Sequence, residues 1–448
     1  MNKLPRPRLL ILGTVVAVAA PGAFAAGTLI ARDRPDHTDT PRLAATPLPP
    51  PTTQAPVARL ARADASGAVK QVDSSAVRLR SYDAPNGKAR LATKATVKAG
   101  DVIASGASPQ LPNGALVKVT DPTPDSTGAV SVRPATLPEL LGDAKITSTT
   151  PVRPSDVTIK PLRKGVAAAV TPSPVLSKGL GPAPLPSRGP GGRLPVGGQV
   201  SLDLDVPLAD LGFTPATQGG PTLAGWVRFQ PEIIFSYQRD HGAGLAPSQA
   251  AIGVGGLYDY GWKMHASLPA GVDTGRQPLR LPFAEVHLRT VLMVAGFPIV
   301  IDVDLTYFYQ VSATGRIAID AEQKMTGDLS LGVAYAKDSG WTALPLDRPT
   351  GTAGSKPKIT GAAGARATIG AQLSVALYGI VGAALVWGPY LRADVGARIP
   401  NVDWSLYAGY ELTAELFVRL DILGVPIPRQ SVQLPPLTGE WKLAGGII

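Results

Sequence analysis

Residues 404–422 read Trp404-Ser405-Leu406-Tyr407-Ala408-Gly409-Tyr410-Glu411-Leu412-Thr413-Ala414-Glu415-Leu416-Phe417-Val418-Arg419-Leu420-Asp421-Ile422, and every even-numbered position is apolar. The odd-numbered positions are mostly polar. A strict period of two over such a length marks a strand with one buried and one wetted face. At about 3.3 Å per residue it would span roughly 60 Å. A helix would need apolar residues at spacings of three and four, and Gly409 would weaken its middle. The stretch predicts a long strand, and with it a large antiparallel sheet.

The same period recurs upstream. Val200, Leu202, Leu204 and Val206 alternate with Ser201, Asp203 and Asp205. Tyr258, Tyr260, Trp262 and Met264 alternate with Asp259, Gly261, Lys263 and His265, and Phe297 to Tyr309 repeats the pattern. Turn clusters at Pro269-Ala270-Gly271, Thr314-Gly315 and Lys337-Asp338-Ser339-Gly340 separate the runs, and residues 345–364 read as a long loop. No helical pattern intervenes. Residues 198–448 are therefore expected to form a large all-β antiparallel domain, either a sandwich or a curved sheet.

Ahead of it, residues 67–150 read as a small β module. Val77 to Arg80, Gly100 to Ile103, Gly114 to Val119 and Ala129 to Val132 are short strand candidates, with a turn at Pro112-Asn113-Gly114. Thr136 to Leu141 predicts a single helical turn with Thr136 as its cap and proline at an early position. Two segments lack the large apolar residues that would repay ordering. Residues 26–66, with Pro47, Pro49, Pro50 and Pro51, predict a disordered Pro-rich tether; residues 151–197 predict a Pro/Gly-rich basic linker and a domain boundary.

Residues 1–25 carry a basic start (Lys3, Arg6, Arg8), an apolar run from Leu9 to Ala20 and a small-residue Ala23-Phe24-Ala25 site. That is the pattern of a cleaved secretory signal peptide. The apolar run falls short of the roughly 20 residues that a spanning helix needs, so no transmembrane helix is expected in the mature chain. With no paired arginine, the general secretory route is favoured.

The string Lys98-Ala99-Gly100-Asp101-Val102-Ile103, then Pro112-Asn113-Gly114, Lys118-Val119 and Pro134-Ala135-Thr136-Leu137, resembles a segment recurring in uncharacterised secreted bacterial β-rich proteins. In those, a similar string precedes a long β-sheet region. The resemblance implies secretion and architecture and carries no activity with it.

There is no cysteine in the chain, which excludes disulfides, a lipid-modified cysteine, thiolate metal sites and a cysteine nucleophile. The formal charge of +10 is unevenly placed. Residues 26–194 hold 22 Lys+Arg against 12 Asp+Glu, whereas residues 195–448 hold 18 against 21, so the basic excess lies outside the large domain. It could attract acidic wall polymers, phospholipid head groups or nucleic acid, but the favoured reading is that dispersed Lys and Arg merely keep a Pro-rich tether solvated. Because no dense basic run is interleaved with aromatics, no specific nucleic-acid binding is expected.

Chemistry-bearing patterns are sparse. His37, His241, His265 and His287 lack the paired spacing of a zinc site, so no metal or other cofactor is expected. Asp203 with Asp205, Asp302 with Asp304, and Glu411 with Glu415 place carboxylates on one strand face. A glycosidase pair or a calcium site is one use of such pairs; a solvated strand face is the commoner one. No nucleophile elbow, phosphate loop or dinucleotide fingerprint occurs. Leu434-Pro435-Pro436-Leu437-Thr438-Gly439 approaches a sortase signal but has one residue too many. The most site-like feature is the stripe Tyr258, Tyr260 and Trp262, which could stack on sugars or acyl chains if exposed and would otherwise be core.

The sequence thus points away from an enzyme and toward a secreted or cell-envelope-associated structural or binding protein, whose partner is an envelope polymer, glycan or lipid. Two alternatives fit the same patterning: a carrier of a lipid or other apolar ligand in a β cavity, and an outer-membrane β-barrel.

Overall fold

The computed structural model describes residues 58–63, 69–72, 77, 79–92, 96–174, 196–207, 222–240, 246–268, 280–315, 317–346, 349–355, 357–361, 364–398, 401–417, 422–425 and 431–447. Residues 1–25, read as a signal peptide, and residues 26–57 and 64–66 of the expected tether lie outside them. Every strand pair described below is antiparallel.

Seven short strands form sheet I: β1 (Ala58–Ala63), β2 (Val69–Val72), β3 (Leu79–Asp83), β4 (Lys88–Leu91), β5 (Val102–Ser105), β6 (Ala115–Asp121) and β7 (Ala129–Pro134). Their spatial order is β2-β1-β5-β6-β7-β4-β3. The predicted helical turn follows as α1 (Leu137–Leu141), with Thr136 as its N-cap and Pro138 in its first turn.

The next three strands are dealt to two further sheets. β8 (Lys145–Pro151) and β10 (Val166–Pro174) lie at edges of sheet II, while β9 (Val157–Pro161) lies at the edge of sheet III. Sheet II continues with β11 (Val196–Pro207), β12 (Thr222–Phe229), β13 (Glu232–Gln238) and β14 (Gln249–Leu268). β12 and β13 lie end to end along one side of β14 in a single register, interrupted at Gln230 and Pro231. The hairpin β15 (Leu281–Val294) and β16 (Phe297–Ala313) belongs to sheet III. β17 (Ile317–Ala336) then returns to sheet II and covers the other side of β14 along all twenty residues. Three short pieces, β18 (Gly340–Ala343), β19 (Gly351–Gly354) and β20 (Lys358–Gly361), line its far edge, two of them inside the stretch read as a loop. Sheet III is completed by β21 (Ala365–Leu377), β22 (Ile380–Arg398), β23 (Asn401–Phe417), β24 (Ser431–Gln433) and β25 (Leu437–Ile447).

The molecule is therefore an all-β protein of open antiparallel sheets. β23 is the strand predicted from alternation: Leu406, Ala408, Leu412, Ala414 and Leu416 are buried, while Thr413 on the other face is exposed. Sheets II and III face each other over one apolar core to which Val227, Phe235, Tyr260, Leu331, Leu305, Leu373 and Leu385 contribute. Two tight hairpins of sheet III turn on consecutive residues of positive φ, Ala295-Gly296 and Tyr378-Gly379, the geometry that matches strand twist.

Of the segment read as a linker over residues 151–197, residues 151–174 and 196–197 are described, and strands within them enter the sheets; residues 175–195 lie outside the described residues. Ile159 pairs with Val286, and Val166 to Pro174 pairs in full with Val196 to Leu204. The misleading prolines, Pro172 and Pro174, sit on an edge strand, where a missing N–H breaks no ladder. Likewise Ala58 to Ala63, read as the end of the tether, forms β1 and pairs with β5. Its alanines and arginines hide a period of two, in which Leu60 and Ala61 point to opposite faces.

Those faces join different cores. Leu60, Ile103, Val117 and Val132 close a small core within sheet I, whereas Ala61, Val102, Ala104 and Leu116 join the main core together with Leu137, Leu140 and Leu141 of α1. At the junction Arg289 Nη2 donates to Asn113 Oδ1 at 3.2 Å, and Gly114 lies against the Val300 and Tyr378 side chains.

The α1 turn is held by charge. The Glu139 carboxylate accepts from Lys118 Nζ at 3.0 Å, from the Thr136 amide at 3.1 Å and from the Arg133 guanidinium. Burial opposes ionisation, but the bonds from Arg133, Thr136 and Lys118 outweigh it and bring the carboxyl down to about 2. A depressed carboxyl stabilises the fold fully above its ordinary pKa of 4.5 and loses that contribution as pH falls toward 2. The stability gap between the native chain and Glu139→Gln should therefore be constant near neutrality and close between pH 4.5 and 2 in urea titrations. A gap that does not change over that range would refute the assignment.

Candidate functional site

Tyr258, Tyr260 and Trp262 all project from the same face of β14, as the period of two requires, and that face is turned inward. They are 7, 1 and 0 % exposed. The Trp387 ring of β22 meets them from the opposite sheet, edge-on to Tyr260 at 5.0 Å and to Tyr258 at 5.8 Å. Tyr260 and Tyr307 share a hydroxyl hydrogen bond across the core, and burial raises the pKa of both phenols. The stripe is thus core, the second of the two uses weighed for it.

Only Tyr258 reaches the surface, at the rim of a cleft between the sheets. Asp328 and Leu329 of β17 form one wall, and Leu346 and Pro349 of the following segment extend it. Trp387 and Pro389 of β22, Tyr410 of β23 and Trp441 of β25 form the other. Tyr410 and Trp441 are half-buried neighbours with ring centroids 6.4 Å apart. Glycines make room for two of these rings: Tyr258 lies across from Gly327 and Tyr410 across from Gly439, and a Cβ at either glycine would come within 3 Å of the ring. Aromatic side chains laid over cross-strand glycines stiffen a sheet where glycine alone would loosen it. The space between the walls is about 10 Å³, room for one water, so the cleft presents aromatic faces at its rim and encloses little.

Sequence patterning singled out one of these aromatics and missed Trp387, Tyr410 and Trp441. Tyr410 lies inside the 404–422 alternation and Trp441 in Gly439-Glu440-Trp441-Lys442-Leu443, where the period of two was the available signal.

The opposite, outward face of sheet III carries a charged aromatic network. Arg392 grips both oxygens of Glu440, at 3.0 and 2.7 Å, and Tyr390 donates to the same carboxylate at 2.9 Å. The Arg366 guanidinium lies 3.7 Å over the Tyr390 ring and donates to Glu411 at 3.2 Å. Burial, with Glu440 beside it, pushes the Tyr390 phenol up to about 12, while the Arg392 hydrogen bonds hold the Glu440 carboxyl low. These groups hold one another in place across the outer face.

The carboxylate pairs noted in the sequence are ladder rungs. Asp203 is bound by Arg228 at 2.6 Å, Asp302 by Arg289, and Asp304 by His287 at 2.6 Å. Glu411 takes Arg366 and Glu415 lies on the same outer face. An arginine on a neighbouring strand thus pairs with one member of each couple. Among the described residues, no group of three His, Asp or Glu side chains converges in a metal-binding arrangement. His37 and His241 lie outside those residues. Leu434 is buried and Leu437 to Gly439 opens β25, so the second half of the sortase-like string is sheet. No helix among the described residues is long and apolar enough to cross a membrane.

Comparison with protein-family models, curated proteins and solved structures found no match to this chain.

Proposed function

We propose that this chain is a non-enzymatic binding protein of the cell surface that grips a neutral glycan segment of an envelope polymer at the Tyr258–Trp387–Tyr410–Trp441 cleft. The observation behind this reading is the rim at which the half-buried Tyr410 and Trp441 rings stand beside the buried Tyr258 and Trp387, with the Asp328 carboxylate and two prolines next to them. Aromatic faces stack on the apolar face of a sugar ring, and a carboxylate accepts from its hydroxyls. The shallow rim suits a chain lying across it.

A carrier of free lipid fits less well. Ligand pockets run to several hundred cubic ångströms, and the two best-formed depressions among the described residues each offer about 10 Å³. The open sheets argue against a membrane barrel, which closes to remove its edges.

Co-sedimentation of the exported protein with insoluble envelope polysaccharide tests the reading. Trp441→Ala should lower retention by about tenfold, the loss expected for one stacked ring, while Trp441→Phe keeps most of it. Equal retention of both variants, with unfolding unchanged, would remove the cleft from consideration.

A further inference from the structure

β25 is an eleven-residue strand paired with β23 along one side, and among the described residues its other side has no strand partner. Such an edge presents a row of free N–H and C=O groups. Prolines, bulges and charged side chains usually blunt such an edge. Pro435 and Pro436 precede it, and a register shift opposite Leu406 and Tyr407 falls beyond Trp441. The regularly paired stretch Gly439-Glu440-Trp441-Lys442 lies between the prolines and the shift.

We propose that two copies of this chain join through β25, antiparallel and edge to edge about Trp441, so that sheet III continues across a two-fold axis. The register follows from the side chains. Glu440 and Lys442 share the outer face, and Gly439, Trp441 and Leu443 share the inner one. Pairing must set like faces opposite each other, because a one-residue slip would put every side chain on the wrong side. A two-fold axis at Glu440 would oppose two carboxylates, and one at Lys442 would oppose two ammonium groups; both destabilise. An axis at Trp441 sets Glu440 of each copy opposite Lys442 of the other, twice.

Both groups are available for that exchange. Lys442 is exposed and has no ion pair among the described residues. Glu440 receives three hydrogen bonds, from Arg392 and Tyr390, and a carboxylate offers about four lone-pair sites. Arg392 and Tyr390 also hold the Glu440 side chain in place before a partner arrives. The two aromatic clefts would then lie side by side on the inner face, as a bivalent surface for a repeating polymer. The dimer stands on the strand edge and its charges, not on the glycan reading, and either can fail alone.

Sedimentation velocity of the full chain over a concentration series, without any polymer, is the test. The native chain should pass from monomer to dimer mass. Lys442→Glu sets carboxylate against carboxylate at both rungs and should weaken dimerisation by about tenfold or more, while Lys442→Arg retains it. Lys442 lies on the face away from the cleft, and far-ultraviolet circular dichroism confirms the fold of each variant. A native chain that remains monomeric throughout, or a Lys442→Glu chain that dimerises as tightly as the native one, overturns the proposal.

Discussion

Trp387→Ala is expected to lower the unfolding free energy by about 3–5 kcal/mol, the range for truncating a buried tryptophan. Trp387 is 3 % exposed and is the ring of sheet III that meets the Tyr258 and Tyr260 rings of sheet II. Its removal forfeits the apolar area of an indole and two edge-on aromatic contacts, each worth about 0.5–1.5 kcal/mol beyond area. It also opens a cavity that neighbours on rigid strands cannot fill. Urea unfolding followed by tryptophan fluorescence and circular dichroism measures the loss, and Trp387→Phe should recover more than half. A loss below 1 kcal/mol would mean that sheets II and III do not pack face to face at this point.

Arg62→Met should cost about 3–5 kcal/mol, for a different reason. Asp101 is 1 % exposed and receives Arg62 Nε at 2.6 Å, Arg62 Nη2 at 2.7 Å and the Lys98 amide at 2.7 Å. The fork of the guanidinium matches both carboxylate oxygens, and the Asp101 bond raises the Arg62 pKa. Methionine keeps the stem of the side chain but leaves a buried carboxylate with one amide donor. Asp101→Asn should cost less, because a neutral amide is cheaper to bury than an unpaired charge and Arg62 is a third exposed and can turn to water. The order matters: Arg62→Met more damaging than Asp101→Asn, by urea titration. The reverse order would show that the Asp101 carboxylate stabilises the fold chiefly through contacts other than Arg62, the Lys98 amide among them.

Much of the architecture was legible because alternation is a local property. In β23 and β16 apolar and polar residues trade places strictly enough to exclude a helix, and the capping pattern at Thr136 announced α1. β1 and β10 were harder. Alanine and arginine in Ala58 to Ala63 blur the difference between faces, and Pro172 and Pro174 read as linker until the strand is known to be an edge. Of the cleft, Tyr258 was found from its neighbours in sequence. Trp387, Tyr410 and Trp441 come from three other strands, and nothing in the chain's order brings them together.

By itself, the sequence determined that the chain builds antiparallel sheet, roughly where the strands run, and which positions of each strand share a face. It also excluded cysteine chemistry and the common nucleotide and hydrolase motifs. The tertiary structure alone decided what each apolar face meets. Tyr260 and Trp262 are core because sheet III lies over them, while Tyr410 and Trp441, on faces with the same period, stay half open where the cover of sheet II ends. A period of two records that one face of a strand is apolar; whether that face meets another sheet or solvent depends on contacts between residues more than a hundred positions apart, such as Tyr260 with Trp387, which no local pattern encodes.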